Sequence, residues 1–260
     1  MRLGNRYIFR GHAVGFEAHL REPQDHICWI RGAMALPVTG GYGKVELGPD
    51  ECRVPSRNSR YSFDSVAVYA SGDFLEDATG RAYPDLPART VTAAYVNKLN
   101  ILDRVGVETL AAHLVLDDVD RNLSPRISFG TINPITRIPD PADPIGGLTV
   151  DGRQVVVEFD RKIWDLCTRD EIEDEYDSDN GVVFTSIVKS LKWAGAEAPG
   201  VSLQDNQIAI NDFGRIYLGE LLVGKRCRQL TLVRVQLGTG ERDNDSVCDV
   251  ISGPQPWPPE

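Results

Sequence analysis

Glu220 is the carboxylate in this sequence whose surroundings most favour acid–base chemistry. Antiparallel pairing of the apolar stretch around it places Glu220 between Leu218 and Leu222 and opposite Thr231. The same pairing places Arg234 on the reverse face. An ionised carboxylate among apolar side chains needs a partner, or its pKa rises as the pKa values of catalytic acids do. Glu220 is therefore a candidate general acid or base. The alternative is a structural carboxylate that pairs with an arginine from another strand or lies at the rim of a sheet.

Residues 170–181 form an acidic run that contains Asp177 and Asp179. Oxygen ligands at this spacing are typical of calcium sites. An EF-hand is excluded. In a calcium-binding loop that begins at Glu175, Asn180 stands at the position of the turn glycine and Ser186 stands at the position of the bidentate carboxylate. A looser calcium site at Asp177 and Asp179 is the one cofactor that the sequence suggests, and a solvated acidic surface is the alternative.

Three of the four histidines, His12, His19 and His26, are spaced by seven residues. Alternation along a β-strand points His12 and His19 to opposite faces, so they cannot share a metal ion without a bulge. We therefore predict no zinc site and expect one core histidine and three surface histidines. The glycine-rich stretch 39–43 has no following helix with the Lys-Ser/Thr pair of a phosphate-binding loop.

Composition argues against several classes of partner. The 260 residues include 38 acidic and 28 basic side chains, giving a net charge of -10. Nucleic acids and anionic membranes are bound by positive patches, so neither is an expected partner. The sequence shows no signal-peptide core and no apolar run that approaches a membrane span. Its five cysteines are scattered and never at Cys-x-x-Cys spacing, which favours free thiols and a cytoplasmic location.

Residues 213–237 predict a long β-hairpin that organises the fold. Gly224 and Cys227 bracket a short connection, so the two arms must pair antiparallel. Both faces of this hairpin are largely apolar, and such strands belong inside a sandwich or beneath a covering layer. The predicted fold is therefore all-β, either an antiparallel β-sandwich or two packed β-subdomains, with one or two short helices.

The remaining segments follow the same pattern. Asp151-Gly152 between β-branched runs is a two-residue hairpin turn, and Asp205-Asn206 is a second candidate turn. Residues 107–116 and 182–193 fit a strand or a helix, and we favour a strand for 107–116 because its neighbours are strands. Alternation predicts strands over 11–21 and 61–70, and strands are also expected over 27–36, 44–47, 90–101 and 246–251. A capping box predicts a short helix over 169–176, and residues 71–88 are expected to form a long loop.

The proline-rich segment 139–147 divides the chain into a first half, 1–138, and a second half, 148–252. It is either a linker between two subdomains or a crossover between the sheets of one sandwich over 1–252. The tail, 253–260, is expected to lie extended as polyproline II. Trp257 in this tail is a candidate partner-binding residue that docks on a neighbouring subunit; the alternative is that it packs on its own domain or is disordered.

These features support two functional hypotheses. The first is a non-enzymatic β-rich protein that binds a protein partner or forms homo-oligomers through its surfaces. The second is a small-molecule enzyme that uses Glu220 as a general acid or base. We favour the first, because the sequence contains many two-faced strands and no evident cluster of reactive side chains.

Overall fold

The computed structural model describes residues 6–21, 26–52, 60–74, 88–119, 122–126, 143–160, 162–163, 182–224, 227–238 and 244–257. Most of these residues lie in β-strands, so the all-β prediction is confirmed. The strands are β1 (Arg6–Arg21), β2 (His26–Ala35), β3 (Gly41–Leu47), β4 (Tyr61–Ser62), β5 (Ser65–Phe74), β6 (Ala88–Ile101), β7 (Val105–Val119), β8 (Asn122–Arg126), β9 (Ile145–Gly146), β10 (Thr149–Val150), β11 (Arg153–Phe159), β12 (Val182–Ser186), β13 (Val188–Trp193), β14 (Val201–Gln204), β15 (Gln207–Ile210), β16 (Gly214–Gly224), β17 (Cys227–Leu237) and β18 (Asn244–Trp257).

The strands form two antiparallel sheets that pack face to face as a β-sandwich. Sheet A has eight strands in the order β14-β15-β16-β17-β18-β1-β2, with β12 also paired to β16. Sheet B has ten strands in the order β13-β11-β10-β7-β6-β5-β3, with β4 paired to β6 and with β8 and β9 paired to β7. Strands β1, β17 and β18 of sheet A lie against β5, β6 and β7 of sheet B.

Both halves of the chain contribute to both sheets. Strands β1 and β2 join the later strands of sheet A through the pairing of β1 with β18. The described part of the segment expected to be a linker or crossover, residues 143–147, runs along β7: Ile145 lies opposite Leu110, and the Ala111 N–H donates to the Pro144 carbonyl at 2.9 Å. Neither sheet is therefore built from one half of the chain alone.

The core contains an aromatic cluster around Phe16, which is fully buried. Its ring centroid lies 5.0 Å from those of Tyr61 and Phe63 and 6.0 Å from that of Trp29. The Tyr61 hydroxyl donates a short hydrogen bond to the carboxylate of Asp245, which is also buried. Because Tyr61 belongs to sheet B and Asp245 to sheet A, this bond joins the two sheets inside the core.

At one end of the sandwich, Arg104 binds residues of two turns, one of which is the predicted turn at Asp151-Gly152. Asp151 and Gly152 have φ angles of 48° and 71°, and Val150 pairs with Arg153, so the two-residue turn is confirmed. The Arg104 guanidinium binds both Asp151 carboxylate oxygens at 2.7 and 2.8 Å, and it also donates to the Asn211 carbonyl at 3.0 Å. The hydrogen bond from Arg104 holds the pKa of Asp151 below its ordinary value. Arg104 thus ties the turns of sheet B to the turn between β15 and β16.

The C-terminal residues differ from the sequence expectation. Instead of a separate polyproline II tail, residues through Trp257 continue β18, with Pro254 opposite Phe9 and Trp257 opposite Arg6. The pairing of β18 with β17 ends at Ser252 opposite Arg228. The prolines therefore lie where only one edge of β18 is laddered, and strand prolines are tolerated at such edges.

The other local predictions are resolved as follows. Residues 107–116 and 182–193 lie in strands, not helices, and the hairpin around Asp205-Asn206 is present. The beginning of the expected loop 71–88 belongs to β5, which ends at Phe74 opposite Ala88. The predicted helix over 169–176 lies outside the described residues.

Sheet A is bent along a line that crosses five strands. The regular pairing is interrupted at one aligned position in each strand, and the positions are Gly219, Leu232, Cys248, Gly15 and Gly32. Every second strand along this line has a left-handed backbone, with φ angles of 61° at Gly219, 54° at Cys248 and 63° at Gly32. We call these five positions the bend line.

The bend line shifts the side-chain alternation by one residue. In β1, Phe9 and Ala13 are buried before it and Phe16 and Ala18 are buried after it. Unbroken alternation through the predicted strand 11–21 would put His12 and Phe16 on one face, and this expectation is wrong, because His12 is exposed while Phe16 points into the core. A strand without a bend keeps one face on even positions, and this strand changes face at Gly15.

Sheet B has a matching bend. Lys98 has a φ angle of 52°, and the pairing of β6 with β7 is interrupted between Lys98 and Glu108. Gly147, with a φ angle of 66°, lies beside the same position on the other side of β7. Two bent sheets keep their inner faces in contact, as packed sheets require.

Val66 of sheet B packs into a notch formed by two glycines of the bend line. A Cβ atom at Gly15 or at Gly32 would collide with Cγ1 of Val66. Gly32 has a second requirement, since its positive φ angle is unfavourable for residues with a side chain. Gly15 has no such requirement, so its constraint is steric alone.

We predict that Gly15→Ala and Gly32→Ala both lower the free energy of unfolding, by about 1–3 kcal/mol for overpacking. Val66→Ala should relieve most of the loss in the Gly15→Ala background, because only the steric conflict exists there. In the Gly32→Ala background a loss of about 1–2 kcal/mol should persist, since the left-handed backbone is still penalised. Urea unfolding of the four glycine variants and of Val66→Ala alone measures both couplings. Strictly additive changes in both backgrounds would show that the notch does not exist.

Candidate functional site

The candidate site is a group of polar side chains on the outer face of sheet A, carried by β16, β17 and β18. We call it the outer polar cluster, and its members are Tyr217, Glu220, Gln229, Thr231, Arg234 and Asp249. The cluster straddles the bend line. Tyr217 pairs with Arg234 on one side of the line, and Glu220 pairs with Thr231 on the other.

The bend brings Glu220 and Arg234 to the same face. The predicted register is confirmed, since Gly224 lies opposite Cys227 and Glu220 lies opposite Thr231. The prediction that Arg234 occupies the reverse face is wrong. Ile216 and Leu218 point inward before Gly219, and Leu221 and Val223 point inward after it, so the outward positions also shift by one residue.

Glu220 and Arg234 form a bidentate ion pair. Arg234 Nε lies 2.6 Å from Glu220 Oε2, and a terminal guanidinium nitrogen lies 2.6 Å from Oε1. Glu220 is 7% exposed. The hydrogen bond to Glu220 raises the pKa of Arg234, so the guanidinium is held in its charged form. Paired fork geometry of this kind is the strongest form of an Arg–carboxylate contact.

Tyr217 extends the pair into a stack. The Arg234 Cζ atom lies 3.9 Å from the centroid of the Tyr217 ring, which is a cation–π contact. The Tyr217 hydroxyl lies 3.3 Å from Gln236 Oε1. The guanidinium is therefore held on its edge by a carboxylate and on its face by an aromatic ring.

Asp249 is the second carboxylate of the cluster. It accepts hydrogen bonds from Thr231 Oγ1 at 2.9 Å and from Gln229 Nε2 at 3.0 and 3.1 Å. Burial raises the pKa of Asp249, and the two donors oppose that rise. His12 and Glu17 of β1 also act on this carboxylate through their charges. These two residues are five apart and share the outer face because the bend line passes between them.

The geometry of the cluster is that of closed polar pairs. A general acid must present a proton to a substrate, whereas both oxygens of the Glu220 carboxylate already accept hydrogen bonds from the Arg234 guanidinium. Glu220 has the geometry of the structural carboxylate that was the alternative to a catalytic one. Among the described residues, no group of three or more His, Cys, Asp or Glu side chains is placed to hold a metal ion.

The two cysteines whose side chains are described are poor nucleophiles. Cys52 and Cys248 are free and buried. Burial raises the pKa of each thiol above its ordinary value, so the reactive thiolate is disfavoured in both. Cys248 owes its position to the bend line, where its backbone is left-handed.

The other candidates named from the sequence do not meet the cluster. Asp177 and Asp179 lie outside the described residues. Trp257 is the last residue of β18, and its backbone pairs with β1 of its own chain. Sequence reasoning missed Asp249, whose importance arises only from the pairing of β17 with β18. It also missed Phe184, which is 64% exposed on β12; an aromatic residue in an apolar strand ordinarily suggests burial.

Comparison with known proteins identifies a family. Residues 7–180 match the model of a domain of unknown function, DUF8256. The chain belongs to the DUF8256 family. The match covers the sequence from β1 to the residues just before β12, so the DUF8256 region supplies β1 and β2 of sheet A and most of sheet B. No curated protein and no solved structure matches this DUF8256 chain. Among the described residues, no helix has the length and apolar character needed to cross a membrane.

His113 is a buried histidine on the other side of the sandwich. It lies on β7 opposite Ala93, on the outer face of sheet B, and it is 1% exposed. Among the described residues neither ring nitrogen has a hydrogen-bond partner. Burial lowers the pKa of His113 to about 4. His113 is therefore a neutral, buried histidine, as expected for one of the four.

We predict that substitution of the Glu220–Arg234 pair is destabilising and non-additive. Glu220→Gln and Arg234→Met should each lower the free energy of unfolding by about 1–3 kcal/mol, because each leaves a charged group without its partner. The double variant should lose less than the sum of the two, with a coupling energy of about 0.5–3 kcal/mol in a double-mutant cycle. Additive losses would mean that the pair contributes nothing as a pair.

We predict that His113 lowers the free energy of unfolding in acid. The unfolded histidine titrates near its ordinary pKa of 6.5 and the folded one near about 4, so the unfolded state binds more protons between these values. Stability should fall as the pH drops from about 6.5 to about 4, by roughly 3 kcal/mol for this shift. Unfolding measured across this range for the wild type and for His113→Leu isolates the contribution. If the difference between the two proteins is independent of pH, His113 does not carry this effect.

Proposed function

We propose that this protein is a non-enzymatic β-sandwich that self-associates, and that the outer face of sheet A belongs to its working surface. The observation that carries the proposal is the state of that face: Glu220 and Asp249 already accept hydrogen bonds from their neighbours, while large apolar side chains remain exposed on the same face. Surfaces of this kind are better suited to protein–protein contact than to catalysis.

The polar part of the face is internally complete. Glu220 is bound by Arg234, and Asp249 is bound by Gln229 and Thr231. A second protein surface can cover the Glu220–Arg234 pair without leaving a lone buried charge, which would be costly. A proton-transfer site requires the opposite arrangement, with a titrating group directed at an open position.

The apolar part of the face is open to solvent. Phe184 is 64% exposed and Ile30 is 43% exposed, at opposite sides of the sheet. Between them, Val14, Leu222 and Ile251 are half-buried. Burial of apolar area contributes about 25 cal/mol per Å², so covering these side chains favours association.

Charge sets the condition under which association occurs. The net charge of -10 makes two copies repel each other at long range, and salt screens that repulsion. The same charge disfavours nucleic acid and anionic lipid as partners. The free thiols of Cys52 and Cys248 fit a reducing compartment, and we place the protein in the cytoplasm.

We predict that light scattering coupled to size exclusion gives a mass of at least twice 28.7 kDa at micromolar concentrations. The assembled fraction should rise when the ionic strength is raised from about 0.01 M to about 0.15 M, because the Debye length falls from about 30 Å to about 8 Å. A monomer at every concentration and salt tested contradicts the proposal.

A deletion of residues 253–260 is not a clean test of assembly. This deletion removes the part of β18 that pairs with β1 near Phe9, which is buried. Loss of association in the truncated protein would therefore report loss of folding as well as loss of a contact. Point substitutions at exposed residues avoid this ambiguity.

A further inference from the structure

The free edges of the sandwich differ in how well they resist pairing with another strand. A free edge presents unpaired N–H and C=O groups, and proteins protect such edges with charges, prolines, bends or short length. In sheet B, β3 carries the ion pair of Lys44 with Glu46, β8 carries Pro125, and β13 carries the exposed Lys189 and Lys192. Each of these strands has a recognisable protective feature.

Two edges of sheet A are protected as well. Strand β2 is bent at Gly32, where its backbone is left-handed. Strand β14 has four residues, and the exposed ones are Ser202 and Gln204. Bending and short polar edges both discourage extension of a sheet.

Strand β12 is also short, with five residues, but it has none of the other protective features. Its sequence, Val-Val-Phe-Thr-Ser, contains no charge, no proline and no glycine. One of its edges pairs with β16, from Val182 opposite Gly224 to Ser186 opposite Glu220. No other described strand pairs with β12, and its central residue, Phe184, is the most exposed large apolar side chain among those the structure describes.

The free edge of β12 has main-chain groups directed outward from the sheet. The Ile187 N–H donates to the Gly219 carbonyl at 2.8 Å, in register with the pairing of β12 and β16. Ladder bonds in antiparallel pairs alternate, so the odd positions of β12 bond to β16. The N–H and C=O groups of Val182, Phe184 and Ser186 therefore point away from β16.

We propose that β12 pairs antiparallel with β12 of a second copy of this chain about a two-fold axis at Phe184. This inference rests on the proposed self-association and adds the free edge of β12, next to the outer face of sheet A, as a contact between copies. Because the strand has five residues, the two-fold axis places Phe184 opposite Phe184 of the second copy and Val182 opposite Ser186. The outward main-chain groups at these positions then bond across the axis.

The chemistry of the edge selects a second copy. A two-fold axis requires a self-complementary strand, and an uncharged strand with an aromatic residue at its centre meets that requirement. The Phe184 rings lie on one face of the extended sheet as a cross-strand aromatic pair, an arrangement that stabilises antiparallel sheets. Joined in this way, the two copies form one continuous sheet of sixteen strands, twice the eight of sheet A.

The test uses three variants of the full chain and light scattering over a range of concentrations. Phe184→Asp places a charge at the centre of the pair and should weaken association at least tenfold. Val182→Pro removes an outward N–H at the first position of the strand, where proline is tolerated, and should weaken it in the same direction. Val156→Asp is the matched control: Val156 is 47% exposed on β11 of sheet B, and this change should leave association within twofold of the wild type.

The outcomes separate this inference from the broader proposal. A wild type that associates, with Phe184→Asp and Val182→Pro both associating as tightly, overturns the β12 interface and leaves self-association intact. A monomeric wild type overturns self-association itself. Thermal melting of each variant shows whether it is folded, and Val182→Pro provides the decisive comparison if Phe184→Asp is not.

Discussion

The left-handed backbone along the bend line is the constraint on which the rest of this structure depends. It decides which side chains face the core and which face solvent in five neighbouring strands. Phe16 reaches the aromatic cluster because alternation shifts at Gly15, and Arg234 reaches Glu220 because alternation shifts at Gly219 and Leu232. In an unbent sheet with the same pairing, Arg234 and Glu220 would lie on opposite faces. The Arg234 guanidinium would then be buried in the core without a partner, at a large cost in free energy.

Much of the architecture followed from the sequence because it depends on local rules. Positive φ angles at Asp151-Gly152, a short connection after Gly224 and period-two alternation are properties of neighbouring residues, and all three were predicted. The pairing register of the central hairpin was correct to the residue. Register in a hairpin is set by its turn, and the turn is visible in the sequence.

The site was harder to predict from the sequence, because it depends on where the alternation of side chains is broken. Nothing in Ser-Val-Cys-Asp-Val marks Cys248 as a left-handed residue, and Gly15 and Gly32 are two glycines among 24. The bend is cooperative across strands that are far apart in sequence, and a single strand gives no sign of it. Sequence reasoning therefore identified Glu220 as notable and assigned Arg234 to the wrong face. Asp249 was missed for the same reason, since its donors lie on the adjacent strand.

The bends also produce the features of the outer face of sheet A on which the proposed self-association rests. Two outward rows, one through Tyr217 and Arg234 and one through Glu220 and Thr231, are brought together across the bend line, and their polar groups satisfy one another. Because Arg234 neutralises Glu220 locally, this part of the face repels a second copy less than the net charge of the chain implies. Long-range repulsion remains, and it is screened within a few Debye lengths. The affinity of such a surface then depends on its uncharged parts, which in sheet A are the exposed apolar side chains and the main-chain groups of its free edge.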